Sequence, residues 1–179
     1  MPDYTFKGKY ATYVKHLTEI QKGEEKIRIF PRIIDVYMMG AIVGFLNSRQ
    51  ESYDSSKESK NEDDEMSTST STIKENTFLK EQRRIDLLYQ LIIINENTRE
   101  FPPKKRINNA FRGDSSDEVT NVQNMEIINS YVLGGISYLY NRFQDARTKE
   151  EVAMVMNDML EEFIQDREIK LDQPTNRSD

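Results

Sequence analysis

Two clusters in this chain have residue types and spacings that could do chemistry. Asp158, Glu161 and Glu162 stand three and four residues apart, so on a helix Asp158 lies one turn from both glutamates. Carboxylates set out in this way can hold Mg²⁺, and Mg²⁺-assisted hydrolysis of a nucleotide is the reaction they would serve. Such a site needs a second acidic pair on a facing helix, and the preceding long helical stretch offers only Glu126 and Asp145. A solvated acidic face is therefore the simpler reading, and no metal or other cofactor is expected. The second cluster is basic. Arg99, Lys104, Lys105, Arg106 and Arg112 crowd into a loop-like stretch whose only acid is Glu100, with Phe101 and Phe111 at its flanks. In a chain of net charge −6 such a concentration points to phosphate, nucleic acid or an acidic protein surface. No recognised DNA-binding motif accompanies it, and its plain alternative is a solvated loop pairing with the chain's own acids.

Other catalytic classes lose support quickly. The lone histidine, His16, sits between Lys15 and Leu17 with no serine or cysteine partner to nominate, so a boundary position is expected rather than catalysis. There is no cysteine, which excludes disulfides and thiolate metal sites and makes a reducing cytoplasm the natural compartment. Gly134-Gly135 lies inside an apolar run without the Lys-Ser or Lys-Thr that completes a phosphate loop. Met1-Pro2-Asp3-Tyr4 does not begin a basic, then apolar leader, so no signal peptide is expected. The longest apolar stretch, Ile33 to Leu46, includes Asp35 and is shorter than the roughly 20 residues that span a bilayer.

The elements that must position these groups are read from periodicity. Tyr10, Tyr13, Val14, Leu17 and Ile20 recur at helical steps, predicting a short amphipathic helix that ends near Gly23. Pro31 suits a first helical turn, and the helix that follows to Leu46 is apolar nearly all round. Residues 47–77 break the pattern. They are dominated by Ser, Thr, Asp, Glu, Lys and Asn, and they predict a disordered insertion with too little apolar surface to offset ordering entropy. Helical periodicity returns over Phe78 to Ile94, and a long helix runs from near Asp117, capped there or at Ser116, to Phe143. Thr148 and Glu151 match a capping box opening a last helix whose stripe is Val152, Val155, Met156, Met159, Leu160, Phe163 and Ile164.

With 179 residues, 36% hydrophobic and 31% charged, the chain is expected to form one domain with a modest core. The fold class is all-α: a single globular helical domain of about five helices with a long disordered polar insertion. Residues 1–46 hold the N-terminal core helices, 47–77 the insertion, 78–171 the remaining core helices and 172–179 a polar tail. Glycines lie inside two of these helices, Gly40 and Gly44 in one, Gly134 and Gly135 in the other. Each costs a helix about 1 kcal/mol relative to alanine, and close backbone approach is the usual compensation. The two helices are expected to touch at the centre of the core.

The same segments carry a family resemblance. Phe30-Pro31-Arg32-Ile33-Ile34-Asp35-Val36-Tyr37-Met38-Met39-Gly40-Ala41-Ile42-Val43-Gly44-Phe45, Ile85-Asp86-Leu87-Leu88-Tyr89-Gln90-Leu91-Ile92-Ile93-Ile94 and Asn129-Ser130-Tyr131-Val132-Leu133-Gly134-Gly135-Ile136-Ser137-Tyr138-Leu139 resemble the helices of the fourth family of Dnd system-associated proteins. These are small proteins encoded beside DNA phosphorothioation systems, and the 47–77 stretch departs from their pattern. The resemblance implies a bacterial accessory protein in modification-linked defence against foreign DNA, and it carries over no catalytic residue. The leading expectation is a cytoplasmic, non-enzymatic adaptor acting through protein contacts, with no membrane partner. Its rivals are a nucleic-acid-binding module using the basic stretch, a Mg²⁺-dependent nucleotide hydrolase, and an acidic inhibitor that mimics DNA.

Overall fold

The computed structural model describes residues 2–19, 27–53, 70–96, 102–111 and 118–171. In chain order these form β1 (Tyr4–Lys7), α1 (Lys9–Thr18), α2 (Ile33–Leu46), β2 (Thr70–Ile73), α3 (Glu75–Lys80), α4 (Gln82–Asn95), α5 (Pro103–Phe111), α6 (Glu118–Phe143) and α7 (Lys149–Leu171). The class is helical as expected, with seven helices among the described residues and one small antiparallel sheet.

Two helices exceed the expected number, each for a local reason. The helix predicted over 78–94 is divided at Glu81, whose backbone leaves helical geometry and whose carboxylate accepts from Arg32 at 2.6 Å and Arg84 at 3.1 Å. The basic stretch, expected as a loop, is helical over Pro103–Phe111. Pro103 takes the first helical position, where a missing N–H costs nothing, and the Pro102 carbonyl accepts from the Lys105 and Arg106 amides. The last helix opens as its sequence predicts. The Glu151 amide donates to Thr148 Oγ1 at 3.1 Å, and the Thr148 amide donates to Glu151 Oε2 at 3.1 Å.

α2 and α6 form the centre. Ile34, Val36, Tyr37, Ala41, Val132 and Ile136 are all buried there, and Tyr37 donates from its hydroxyl to Asn129 Oδ1 at 3.0 Å across the pair. The glycines permit this approach. A Cβ on Gly135 would overlap the Gly40 carbonyl and lie 2.8 Å from the Gly44 amide nitrogen; one on Gly44 would overlap the Tyr131 carbonyl. α1 packs across the pair, and an aromatic group of Tyr4, Phe6, Tyr37 and Phe78, edge to face, closes the end where the sheet lies.

Composition predicts disorder throughout 47–77, and the structure corrects this at both ends. Residues 54–69 lie outside the described residues, as do 172–179. α2 ends in a Schellman turn: Ser48 adopts φ 51°, the Arg49 amide donates to the Gly44 carbonyl at 2.8 Å, and Ser48 donates to Phe45 at 3.1 Å. The chain then crosses α6 as a strap, with the Arg49 carbonyl over Gly134 and the Glu51 amide donating to the Ser130 carbonyl at 3.0 Å. At the other end Thr70–Ile73 pairs with β1 in the register Tyr4↔Ile73, Phe6↔Ser71, and Thr5 and Thr72 hydroxyls meet at 3.0 Å. Tyr53 and β2 both reach β1, so a short connection can join them: the Tyr53 hydroxyl donates to the Thr5 carbonyl. Replacing 54–69 by a short Gly/Ser linker is expected to leave the melting temperature unchanged. Replacing all of 47–77 should lower it by about 10 °C or more, since several kcal/mol of contacts are lost. Equal melting by both variants in a circular-dichroism thermal scan would show that strap and strand contribute nothing.

Candidate functional site

Asp158, Glu161 and Glu162 are exposed on α7. Glu161 accepts from Asn157 Nδ2 at 2.7 Å. Glu162 accepts from Arg142 at 2.8 Å and from the Tyr138 hydroxyl at 3.3 Å. Among the described residues no group of three or more His, Cys, Asp and Glu side chains is placed to hold a metal ion. The facing helix, α6, turns Arg142 and Tyr138 toward Glu162.

His16 is half-buried between α1 and α6, its ring edge-on to Tyr140 at 5.2 Å. Burial pushes its imidazole below the usual value, with the Phe143 carbonyl acting in the opposite direction. Its position at the edge of the α1–α6 contact is the boundary one that its neighbours predict.

Of the basic residues, Lys104, Lys105 and Arg106 occupy the first turn of α5, whereas Arg99 and Arg112 lie outside the described residues. Lys104 and Lys105 are exposed and Arg106 is half-buried. Ala110 is the buried contact of this helix, which packs on α4. On the face turned away from the half-buried Arg106 and Asn109, Ile107 and Phe111 are 50% and 60% exposed, one helical turn apart. Lys104 is three residues before Ile107 and seven before Phe111, so the three share one face. Cations in a first turn oppose the helix dipole. The signal for α5 was present in the sequence as Pro103 followed by Ile107, Ala110 and Phe111 at helical spacing.

A concavity of about 850 Å³ lies elsewhere, between α2, α6 and α7. Met39, Ile42 and Leu46 line one wall, Met156, Leu160 and Phe163 the other, and Leu139 and Phe143 form the floor. α7 buries only part of its apolar stripe. Val152, Val155 and Met159 rest on the core, while Leu160 and Ile164 remain 61% and 54% exposed. The row Met156, Leu160, Ile164 is thus left uncovered, and the next row around the helix is Asn157, Glu161 and, at its start, Glu150. The site is apolar, and the carboxylate among its lining residues, Glu162, is held by Arg142. Thioethers of Met39 and Met156 give its walls the adaptability typical of peptide-binding grooves.

One polar cluster had no counterpart in the sequence reading. Glu51, carried on the strap, accepts on a single carboxylate oxygen from Tyr10 at 2.7 Å, Lys9 at 2.9 Å and Ser137 at 3.0 Å. Burial alone would raise this carboxyl, and the donors from Lys9, Tyr10 and Ser137 outweigh it and hold it below the usual carboxylate range. All the donors serve one acceptor that is ionised at neutral pH. The arrangement clamps the strap to α1 and α6 and offers no base or nucleophile to a substrate.

No described helix is long and apolar enough to cross a membrane. No family model matches the chain, and no curated protein or solved structure matches it either.

Proposed function

We propose that this protein is a non-enzymatic accessory protein, an adaptor that acts through protein contacts in a bacterial DNA-modification-linked defence system. The observation that carries the adaptor reading is the uncovered apolar groove between α2 and α7. Large contiguous apolar surface is uncommon on monomeric proteins and marks places where another molecule binds. The groove has the form that receives an amphipathic helix, with anchors entering between Met39, Leu46, Met156 and Leu160. The defence setting rests on the resemblance of 30–45, 85–94 and 129–139, which lie largely in α2, α4 and α6.

The test is made in a host carrying such a modification system. Deleting the chain should abolish protection against phage, and wild-type protein should restore it. The Leu160→Glu variant should fold normally, since the position is exposed, yet fail to restore protection while DNA modification continues. Full protection by Leu160→Glu, or none lost on deletion, overturns the reading.

A second reading is favoured by Lys104 and Lys105 at the N-terminus of α5, where phosphate would be attracted. Under the adaptor reading the purified protein gives no electrophoretic shift of DNA or RNA even at low salt, where surface electrostatics are strongest. A low-salt shift that weakens steeply with added salt and disappears in Lys104→Glu/Lys105→Glu would replace the adaptor by a nucleic-acid-binding module.

A further inference from the structure

We propose that Glu162, held by Arg142 and Tyr138 of α6, sets the rotation of α7 about its own axis and so gives the groove its apolar wall. The inference deepens the adaptor reading, on which it rests for the groove's use. It assigns Glu162 a positioning role in the regulation of that site.

The need for such a key lies in the pattern of α7. Its apolar residues come as doublets, at 152–153, 155–156, 159–160 and 163–164. Of the first members, Val152, Val155 and Met159 rest on the core. The second members repeat the same spacing one residue on. Three of them, Met156, Leu160 and Ile164, are 40%, 61% and 54% exposed. One residue is about 100° around an α-helix, so a turn of that size would seat the second row on α6 in place of the first. Each row is apolar at all of its positions, and burial alone does not choose between them. The cap does not choose either. Thr148 and Glu151 bond to each other, so the cap turns with the helix.

The polar edge of α7 does choose. Glu162 stands beside the first row with both carboxylate oxygens engaged. Its Oε1 accepts from Arg142 Nη1 at 2.8 Å, and its Oε2 accepts from the Tyr138 hydroxyl at 3.3 Å. The Tyr138 ring also carries the guanidinium groups of Arg49 and Arg142, whose central carbons lie 5.0 and 5.9 Å from its centroid. In the turned setting every position of α7 passes to its successor. Phe163 would then face Arg142 and Tyr138, and the guanidinium would lose its carboxylate. A part-exposed ion pair adds little to stability. Here it has only to separate two settings of similar apolar burial, and fixing register is the best-attested use of such pairs.

The groove changes with the setting. Its α7 wall is Met156, Leu160 and Phe163. After the turn the same places would be taken by Asn157, Glu161 and Ile164, and most of the apolar wall would be gone. An apolar partner therefore meets its anchors only while Glu162 is held.

The chain has no cysteine, so single cysteines can report each row. Met159→Cys and Leu160→Cys are made in the full chain, and their rates of reaction with a small thiol reagent are compared. With Glu162 in place, the cysteine at 160 should react faster. In a Glu162→Ala background the rate at 160 should fall and the rate at 159 should rise. Their ratio should shift by about fivefold or more, the factor carried by loss of a charge-assisted contact. Arg142→Glu should act in the same way, and Arg142→Glu/Glu162→Arg should restore the original ratio. Opposite movement of the two rates is what distinguishes a change of register from loosening. Rates that rise together would mean that the contact merely anchors α7, and an unchanged ratio would mean that it sets nothing. Either result overturns the proposal. The measurement is made on the purified chain, so a failure of protection in the host overturns the adaptor reading and leaves this result standing.

Discussion

Gly135→Ala is expected to destabilise the protein by about 3 kcal/mol or more, at the upper end of what overpacking a core costs. The added methyl would overlap the Gly40 carbonyl, and the nearest atoms behind it, the Gly40 carbonyl carbon at 2.7 Å and the Gly44 nitrogen at 2.8 Å, are backbone. Backbone inside a helix cannot rotate aside as a side chain does, so α2 and α6 must separate along their whole contact. Gly44→Ala meets the Tyr131 carbonyl in the same way, with the Gly135 nitrogen at 3.0 Å, and should cost a similar amount. Gly40→Ala is expected to be milder. Its methyl would lie 3.0 Å from Ile136 Cγ1 and 3.0 Å from the Val132 carbonyl, where small adjustments relieve the strain. Gly134→Ala should act on a different element, displacing the strap at Arg49 rather than parting the helices. Urea unfolding of the four variants gives the order: Gly135 and Gly44 most affected, Gly40 least. Equal, small effects at all four would mean that the two backbones are not in contact.

The second large effect is expected at Glu51. Glu51→Ala should cost about 2 kcal/mol, because hydrogen bonds to an ionised group are lost and the buried Ser137 hydroxyl loses its acceptor. Glu51→Gln, which keeps the shape without the charge, should cost about half of that. The pH dependence follows from the direction of its shift. A carboxyl held below its usual value in the folded state binds protons less readily there than in the unfolded chain. Its stabilisation is therefore complete above the unfolded value, near 4.5, and is lost as pH falls through the lower folded value. Wild type and Glu51→Gln should differ in stability at neutral pH and converge under acid conditions. A constant difference between them down through the acid range would show that the Glu51 carboxylate is not the ionised acceptor of this cluster.

Helix class was legible because it rests on local patterns. The stripes of α1 and α7, the all-round apolarity of α2 and the Thr148–Glu151 cap each depend on residues within a few turns, and each appears in the predicted segment. α1 nevertheless ends at Thr18, where Glu19 turns extended, rather than near Gly23, and Ile20 lies outside the described residues. The internal glycines were legible as a contact, since their local cost needs a tertiary compensation. α5 was legible in part. Pro103 and the Ile107–Ala110–Phe111 spacing announce a helix, but the concentration of charge concealed it. The basic cluster itself was visible in the sequence, whereas the apolar pair on its own face acquires meaning only when Ala110 is seen to be the buried side.

By itself the sequence determined a helical chain whose centre is two glycine-bearing helices, with an acidic last helix and one basic segment. Only the tertiary structure decided where the polar stretch joins the core and which face of α7 stays uncovered. The physical reason is range. Thr5 meets Thr72 across 67 residues, and Glu51 meets Ser137 across 86, through polar side chains that carry no periodic signal. Such pairings exist only once α2 and α6 have closed on each other and brought the strap and the strands within reach.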